Sequence, residues 1–327
     1  MTCSVSAVIP TYNGAAFIGE ALSSIFAQSR RPQEVIVVDD ASCDDSPQIV
    51  TRIAREAPVA TRLIRLAQNS GGPAHPLNVG VAAATSEIIV TLDQDDVMTP
   101  DRIARQAGLL NRFPTCPLVF GLYRLLHRDG TTHDRPRVPM EEILQVAHRP
   151  VGDDEYLLDS KDCYHRLITV RNFVQGASNI AFRKDAWGQL GGFRKNYRIV
   201  WDYYFACRAC TLGEIGFVAR VVQHHRVHET NLSGRVVLSE KEQAEFRMAN
   251  VRSPLFDVDL SDCHASLAES FFGVGYFEAL QGNLRGSLRA YRRAVRLGVS
   301  KYRGLYGMLT ALPHALAHNL RSSISGN

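Results

Sequence analysis

The first 120 residues alternate between two patterns, and this alternation limits the possible folds most sharply. Short β-branched runs at 4–9, 34–38, 61–66, 87–92 and 118–122 read as strands. Between them, 15–28, 45–56, 75–84 and 101–113 carry apolar residues at helical spacing. Such alternation builds βαβ units, so a mostly parallel sheet covered by helices on both faces is expected. Polar clusters follow the strands: Thr11-Tyr12-Asn13, Asp39-Asp40 and Asp93-Gln94-Asp95-Asp96. Open parallel sheets bind ligands beyond the carboxyl ends of their strands, which predicts one shared crevice.

Composition removes several alternatives. Hydrophobic residues at 45% and charged residues at 21% are ordinary for a globular chain. No apolar run approaches the roughly 18–20 residues of a membrane-spanning helix. The opening MTCSVSAVIP lacks a basic start and a long apolar core, so no secretory signal is expected. Seven scattered cysteines argue for a reducing cytoplasm rather than a disulfide framework. The charge is uneven: eight cations and no acid follow Glu278, leaving the first 278 residues at 29 − 33 = −4. The main body is therefore no nucleic-acid surface by charge.

Past 122 the pattern weakens into Pro-broken, charged sequence over 123–171, then resumes over 173–233. Beyond Ser261 the sequence turns helical and faintly resembles one tetratricopeptide unit through Gly275, Gly282, Tyr291 and Ala294. Leu284, Leu288, Tyr291 and Val295 mark one stripe there, and Arg285, Arg289, Arg292, Arg293 and Arg296 another. Either the apolar stripe packs on the α/β domain and the arginines are solvated, or the helix lies on an anionic membrane surface.

Asp93, Asp95 and Asp96 crowd the end of an apolar strand. Such carboxylates repel unless a cation sits among them. Mn²⁺ or Mg²⁺, shared with a bound phosphate, would serve, although an acidic turn capping the next helix explains them equally. Asp40 suits a base N–H or a ribose hydroxyl, with Ser42 or Asp44 sufficient to cap the helix at 45–56. Along a strand at 224–228, alternation sends His224, Arg226 and His228 to one face and His225 to the other. A polar edge strand with solvated histidines accounts for them too. Cys207-x-x-Cys210 has no second pair at zinc spacing, so ordinary half-buried cysteines are expected. No G-x-G-x-x-G follows the first strand and no G-x-x-x-x-G-K-[ST] occurs.

In order and spacing, Ser6–Gly14, Val35–Asp45, Asn69–Pro73, Asn78–Gly80 and Leu92–Asp96 resemble the nucleotide-sugar-binding half of family 2 glycosyltransferases. Gly176–Lys184, Gly191–Phe193 and Trp201–Phe205 resemble its acceptor half. The resemblance covers roughly 4–235 and implies a GT-A fold: an α/β domain over 1–235, with 1–122 for the donor and 123–235 for the acceptor. A small α-helical C-terminal extension would occupy 236–327. It also implies an inverting, metal-dependent, hexosyltransferase-type transfer from a nucleoside diphosphate sugar, UDP-sugar favoured, to a saccharide or lipid-linked hydroxyl. The implied setting is cell-surface polysaccharide or glycolipid synthesis, in the cytoplasm or peripherally at the membrane's inner face.

By the same resemblance Pro10, Tyr12, Asn13, Asp40, Asn78, Asp95 and Arg226 contact the nucleotide sugar. Asp93, Asp96 and His228 serve the Mn²⁺ or Mg²⁺, and Asp202 is the catalytic base. Trp201 replaces the Glu that usually precedes that base, and Leu77 stands where many relatives carry Arg. Asp202 at a helix start is also explained by the helix dipole, and Leu77 keeps open a catalytically impaired nucleotide-sugar-binding module. One base on the face opposite the leaving group suffices for inversion.

Overall fold

The computed structural model describes residues 3–133, 139–170, 172–174, 176–228, 236–299 and 307. The chain divides into two compact units, one of Met1–Tyr164 with Asn172–Glu229, the other of His165–Arg171 with Thr230–Asn327.

The first unit opens with β1 (Val5–Thr11), α1 (Ile18–Phe26), β2 (Glu34–Asp39), α2 (Ser46–Glu56), β3 (Ala60–Arg65), α3 (Ala74–Ala83) and β4 (Ile88–Thr91). Each lies within a few residues of its expected position. The short β5 (Val97–Met98), α4 (Arg102–Arg112) and β6 (Leu118–Leu126) follow. β1 pairs in parallel with both β2 and β4, and β2 in parallel with β3. Every residue of β1 is buried, because helices cover both faces and apolar runs need not alternate. Gly80 lets α3 approach this sheet: a Cβ there would lie 2.4 Å from Val8 Cγ1 and 3.1 Å from Val38 Cγ2.

The segment without a legible period also joins the sheet. It forms β7 (Thr132–His133), α5 (Met140–Ile143), β8 (His148–Gly152), β9 (Glu155–Leu158) and the start of α6 (Ser160–Thr169). The β8–β9 hairpin turns through Asp154, at φ 58, and Pro150 is tolerated because β8 is the sheet edge. A 3₁₀ turn (Ala177–Asn179), β10 (Ile180–Arg183), α7 (Lys184–Gln189), α8 (Trp201–Ala209) and β11 (Ile215–Arg226) complete this unit. The strand order is β3-β2-β1-β4-β10-β6-β11-β9-β8, with β10 antiparallel to both neighbours. Cys207 and Cys210 are fully buried, and the Cys163 thiol in α6 is raised, first by its hydrogen bond to Cys210 and then by burial.

The second unit contains α9 (Val236–Arg252), α10 (Ser261–Leu280) and α11 (Leu284–Arg296). The buried line of α11 is Ser287, Ala290, Tyr291 and Ala294. This corrects the expected stripe: Leu284, Leu288 and Val295 are only half-buried, while the five arginines are exposed. Small residues let α11 approach α10, and Gly275 makes room for the Tyr291 ring, whose atoms would lie 3.0 Å from a Cβ. Ala290 and Ala294 pack with Leu267, Ala268 and Phe271 in a core internal to this unit.

Candidate active site

Because β2, β1 and β4 run in parallel, their carboxyl ends emerge on one edge, where Thr11 is in register with Asp39. Hydrogen bonds join the three polar clusters there. Gln94 Oε1 accepts from Thr11 Oγ1 at 2.6 Å and from Tyr12 N at 2.8 Å, while its Nε2 donates to Tyr12 O at 3.1 Å. Gly14 leaves space for that amide, since a Cβ would come within 2.1 Å of it. Asn13, at φ 50, donates its N–H to Ser42 Oγ and accepts from Cys43 N. Pro10 is buried inside β1, whereas Tyr12 is 45% exposed.

The two acids ending β2 separate. Asp39 is fully buried and ion-paired with Arg65 Nε at 3.1 Å. Asp40 is gripped by the turn after β3, accepting from Asn69 Nδ2, Ser70 N and Ser70 Oγ at 2.9–3.1 Å. Asn78 is committed within the protein: its Nδ2 donates to Phe193 O at 2.7 Å, and its Oδ1 accepts from Phe193 N and Trp187 Nε1. It ties α3 to the segment before α8. Leu77 is fully buried.

The acidic loop meets the end of β11. Asp96 Oδ1 accepts from Arg226 N at 2.9 Å and lies 3.1 Å from His225 Nδ1. Asp95 Oδ2 lies 2.7 Å from His228 Nε2, and the His228 ring stacks on Phe17 with centroids 4.7 Å apart. Arg226 donates from Nε to Asp95 O and pairs with Glu20, and its guanidinium also lies over Phe17. Strand alternation gave His225 no role, yet Asp96 reaches it as well as the backbone of Arg226. His225 lies inside β11 and His228 beyond its end, and the acidic loop takes partners from both.

Burial first, then Asp96 and Asp95, push Asp93 up to about 8; burial and Asp96 also raise Asp95. Burial would lower His225, but the charge and hydrogen bond of Asp96 outweigh it and raise it to about 9. Below the loop, fully buried Arg102 donates to Thr91 O and Ile180 O at 2.9 and 3.0 Å. Burial lowers it to about 9, with Asp96 and Asp93 opposing. Among the described residues, no group of three or more His, Cys, Asp or Glu is arranged to hold a metal. The donor set fits Mn²⁺ or Mg²⁺ only in the shared form, with one or two carboxylates here and the remaining ligands from substrate phosphate or water.

Asp202 lies at the start of α8 and is buried. Its Oδ2 accepts from Gly176 N at 2.8 Å and its Oδ1 from Tyr203 N at 2.7 Å. Burial raises its pKa above the usual 3.8. Two residues after Gly176, Ser178 Oγ accepts from Asp93 N at 2.7 Å. The short 176–178 segment, with Gly176 at φ 88, therefore touches both Asp202 and the acidic loop. Sequence reasoning missed Gln94, His225 and this bridge. Gln94 had one signal, an uncharged amide inside a carboxylate run. Trp201 and Phe193 pack edge to face at 4.8 Å in the core.

Residues 6–154 match the family model described as glycosyl transferase family 2. An uncharacterized glycosyltransferase of Nostoc sp. is 34% identical over 126 residues, covering 38% of each chain. One of Rickettsia conorii is 31% identical over 71% of this chain and 35% of its own; the chain thus spans little more than a third of either relative. Among solved structures, Staphylococcus aureus TarS 1–349 in complex with UDP-GlcNAc superposes with TM-score 0.60 at 18% identity, covering 98% of this chain and 92% of that one. The mannosyltransferase PcManGT from Pyrobaculum calidifontis, in complex with GDP-Man and Mn²⁺, gives 0.61 at 23% identity, covering 98% and 88%. At these identities the likeness is one of fold, a mixed α/β architecture with a central sheet flanked by helices.

Proposed function

Residues 6–154 belong to glycosyl transferase family 2, and on that premise we propose that the protein is an inverting, metal-dependent glycosyltransferase. It would move a sugar from a nucleoside diphosphate sugar, UDP-sugar favoured, to a hydroxyl acceptor in cell-surface polysaccharide or glycolipid synthesis. One observation carries this reading: the 176–178 bridge links Asp202 to the acidic loop. A base and a diphosphate site must flank one anomeric carbon, and this bridge links a candidate for each.

In this mechanism Tyr12 offers its exposed ring to the base, and Asp40 accepts a hydrogen bond from base or ribose. Asp93 or Asp96 would hold Mn²⁺ or Mg²⁺ beside the diphosphate, with His228 bordering that site through Asp95, which lies toward ribose or sugar. The bound ion would supply positive charge where the leaving group gains negative charge. Arg226 keeps the acidic loop in place through its backbone and side chain, and Asn78 holds the acceptor-side segment. Asp202 takes the acceptor hydroxyl proton as the new bond to the anomeric carbon forms and the bond to diphosphate breaks. Burial strengthens Asp202 as a base, which suits that step.

A thermal-shift panel of UDP, GDP, dTDP and CMP with and without Mn²⁺ tests donor binding, since a ligand raises the melting temperature according to its affinity. Chelation and Asp96→Ala should each abolish sugar transfer; full activity of Asp96→Ala in EDTA would remove the metal from the scheme. We also propose peripheral membrane contact through α11, where five exposed arginines border half-buried Leu284, Leu288 and Val295. Each basic residue near anionic lipid is worth about 1 kcal/mol. Equal co-sedimentation with anionic and neutral vesicles would remove this contact.

A further inference from the structure

β4 and β10 pair antiparallel as far as Val90 and Ala181. At the next opposed residues, Thr91 and Ile180, fully buried Arg102 of α4 donates to both carbonyl oxygens, at 2.9 and 3.0 Å. Because β10 is antiparallel to β4, the acidic loop after Thr91 and the 176–178 bridge before Ile180 leave the sheet at one edge. A buried polar chain runs on from Arg102. Its Nε donates to Gln106 Oε1 at 3.0 Å, and Gln106 Nε2 donates to Asn179 O at 2.7 Å. The Asn179 side chain takes both backbone groups of Gly121 in β6, accepting from its N at 3.0 Å and donating to its O at 2.7 Å. Thr91 Oγ1 also donates to Ala177 O. Arg102, Gln106 and Asn179 are all closed to solvent.

A buried guanidinium adds little stability, since desolvation offsets what its contacts return. Arg102 leaves part of that cost unmet, because its Nη1 has no hydrogen-bond partner among the described residues. Its planar fork of donors instead gives geometric definition. We propose that Arg102, Gln106 and Asn179 are positioning residues that set the spacing between the acidic loop and the 176–178 bridge, and through it Asp202. The links they steady are Asp93 N to Ser178 Oγ and Gly176 N to Asp202 Oδ2. Burial keeps all three away from substrate, so they act only through these segments. The consequence for turnover rests on the glycosyltransferase reading, in which base and diphosphate site flank one anomeric carbon. A misplacement of about 1 Å between such groups can cost about 10²-fold in rate.

Two variants at Gln106 test this in the full chain. Gln106→Glu keeps an acceptor for Arg102 Nε but sets a carboxylate against Asn179 O, cutting one link; Gln106→Met removes both links. Hydrogen exchange should quicken about tenfold at the Asp93 and Gly176 amides in either variant, with β1–β3 unchanged. Hydrolytic release of nucleoside diphosphate from UDP-, GDP- and dTDP-hexoses in Mn²⁺ should lose about 10–10²-fold in kcat, with donor KM held within about twofold. In an Asp202→Asn background the same substitutions should cost little more, because the group they position is already disabled. A merely structural loss would add in full to Asp202→Asn. Full additivity, or unchanged exchange at Asp93 and Gly176, would overturn the proposal. No release from any hexose donor, with exchange still dependent on Gln106, would sink the glycosyltransferase reading and leave these residues as the spacer between the two segments.

Discussion

Asp202→Asn isolates the proton-accepting step. The side chain keeps its shape, and one oxygen still accepts a backbone N–H. The other position becomes an NH₂ facing either Gly176 N or Tyr203 N, so one hydrogen bond is lost and two donors oppose each other. That loss costs about 1–3 kcal/mol. It is offset because wild-type Asp202, raised by burial, gives up stability whenever it ionises in the fold. Stability at neutral pH should therefore change little while chemistry changes greatly. A general base contributes roughly 10²–10⁴-fold, equivalent to about 3–5.5 kcal/mol in the barrier. The assay is nucleoside diphosphate release with acceptor present, run beside donor binding by calorimetry. Donor affinity should hold within about twofold while kcat falls by the larger factor. Wild-type kcat should rise with pH through a pKa above 3.8, and the variant should lose that limb. Wild-type turnover in the variant, or an unchanged pH profile, would refute the role of Asp202 as base.

Metal-free protein should lose stability as pH rises from about 5 to about 9. Asp93, raised from 3.8 to about 8, holds a proton in the fold that the unfolded chain has released, and His225, raised from 6.5 to about 9, loses its favourable charge over the upper half of that range. Melting curves against pH check this, and Asp93→Asn should flatten the lower half. Gly275→Val would place branched carbon where even a Cβ lies 3.0 Å from the Tyr291 ring. Overpacking of this kind costs about 1–3 kcal/mol, read as faster hydrogen exchange over α10 and α11 with the first unit unaffected.

Much of the donor side is legible in the sequence because it depends on local order. β-Branched runs and helix-period segments fix βαβ units, parallel pairing aligns the strand ends, and the acids that follow must gather on that edge. The β8–β9 hairpin was not legible: edge strands need little apolar burial, so Pro150 and the exposed residues of β8 leave no periodic trace. The packed face of α11 was also hidden, because close helix contact selects Ser287, Ala290 and Ala294 for smallness, which a hydrophobic stripe does not register. Tertiary structure alone decided which groups meet across long separations. Gln94 reaches Tyr12 across 82 residues, His225 faces Asp96 across 129, and Gly176 reaches Asp202 across 26. Sequence supplied their chemistry, since a carboxylate or an imidazole is the same in any fold. Their partners, and so their burial and proton affinities, were set by strand order, which brings distant loops to one edge.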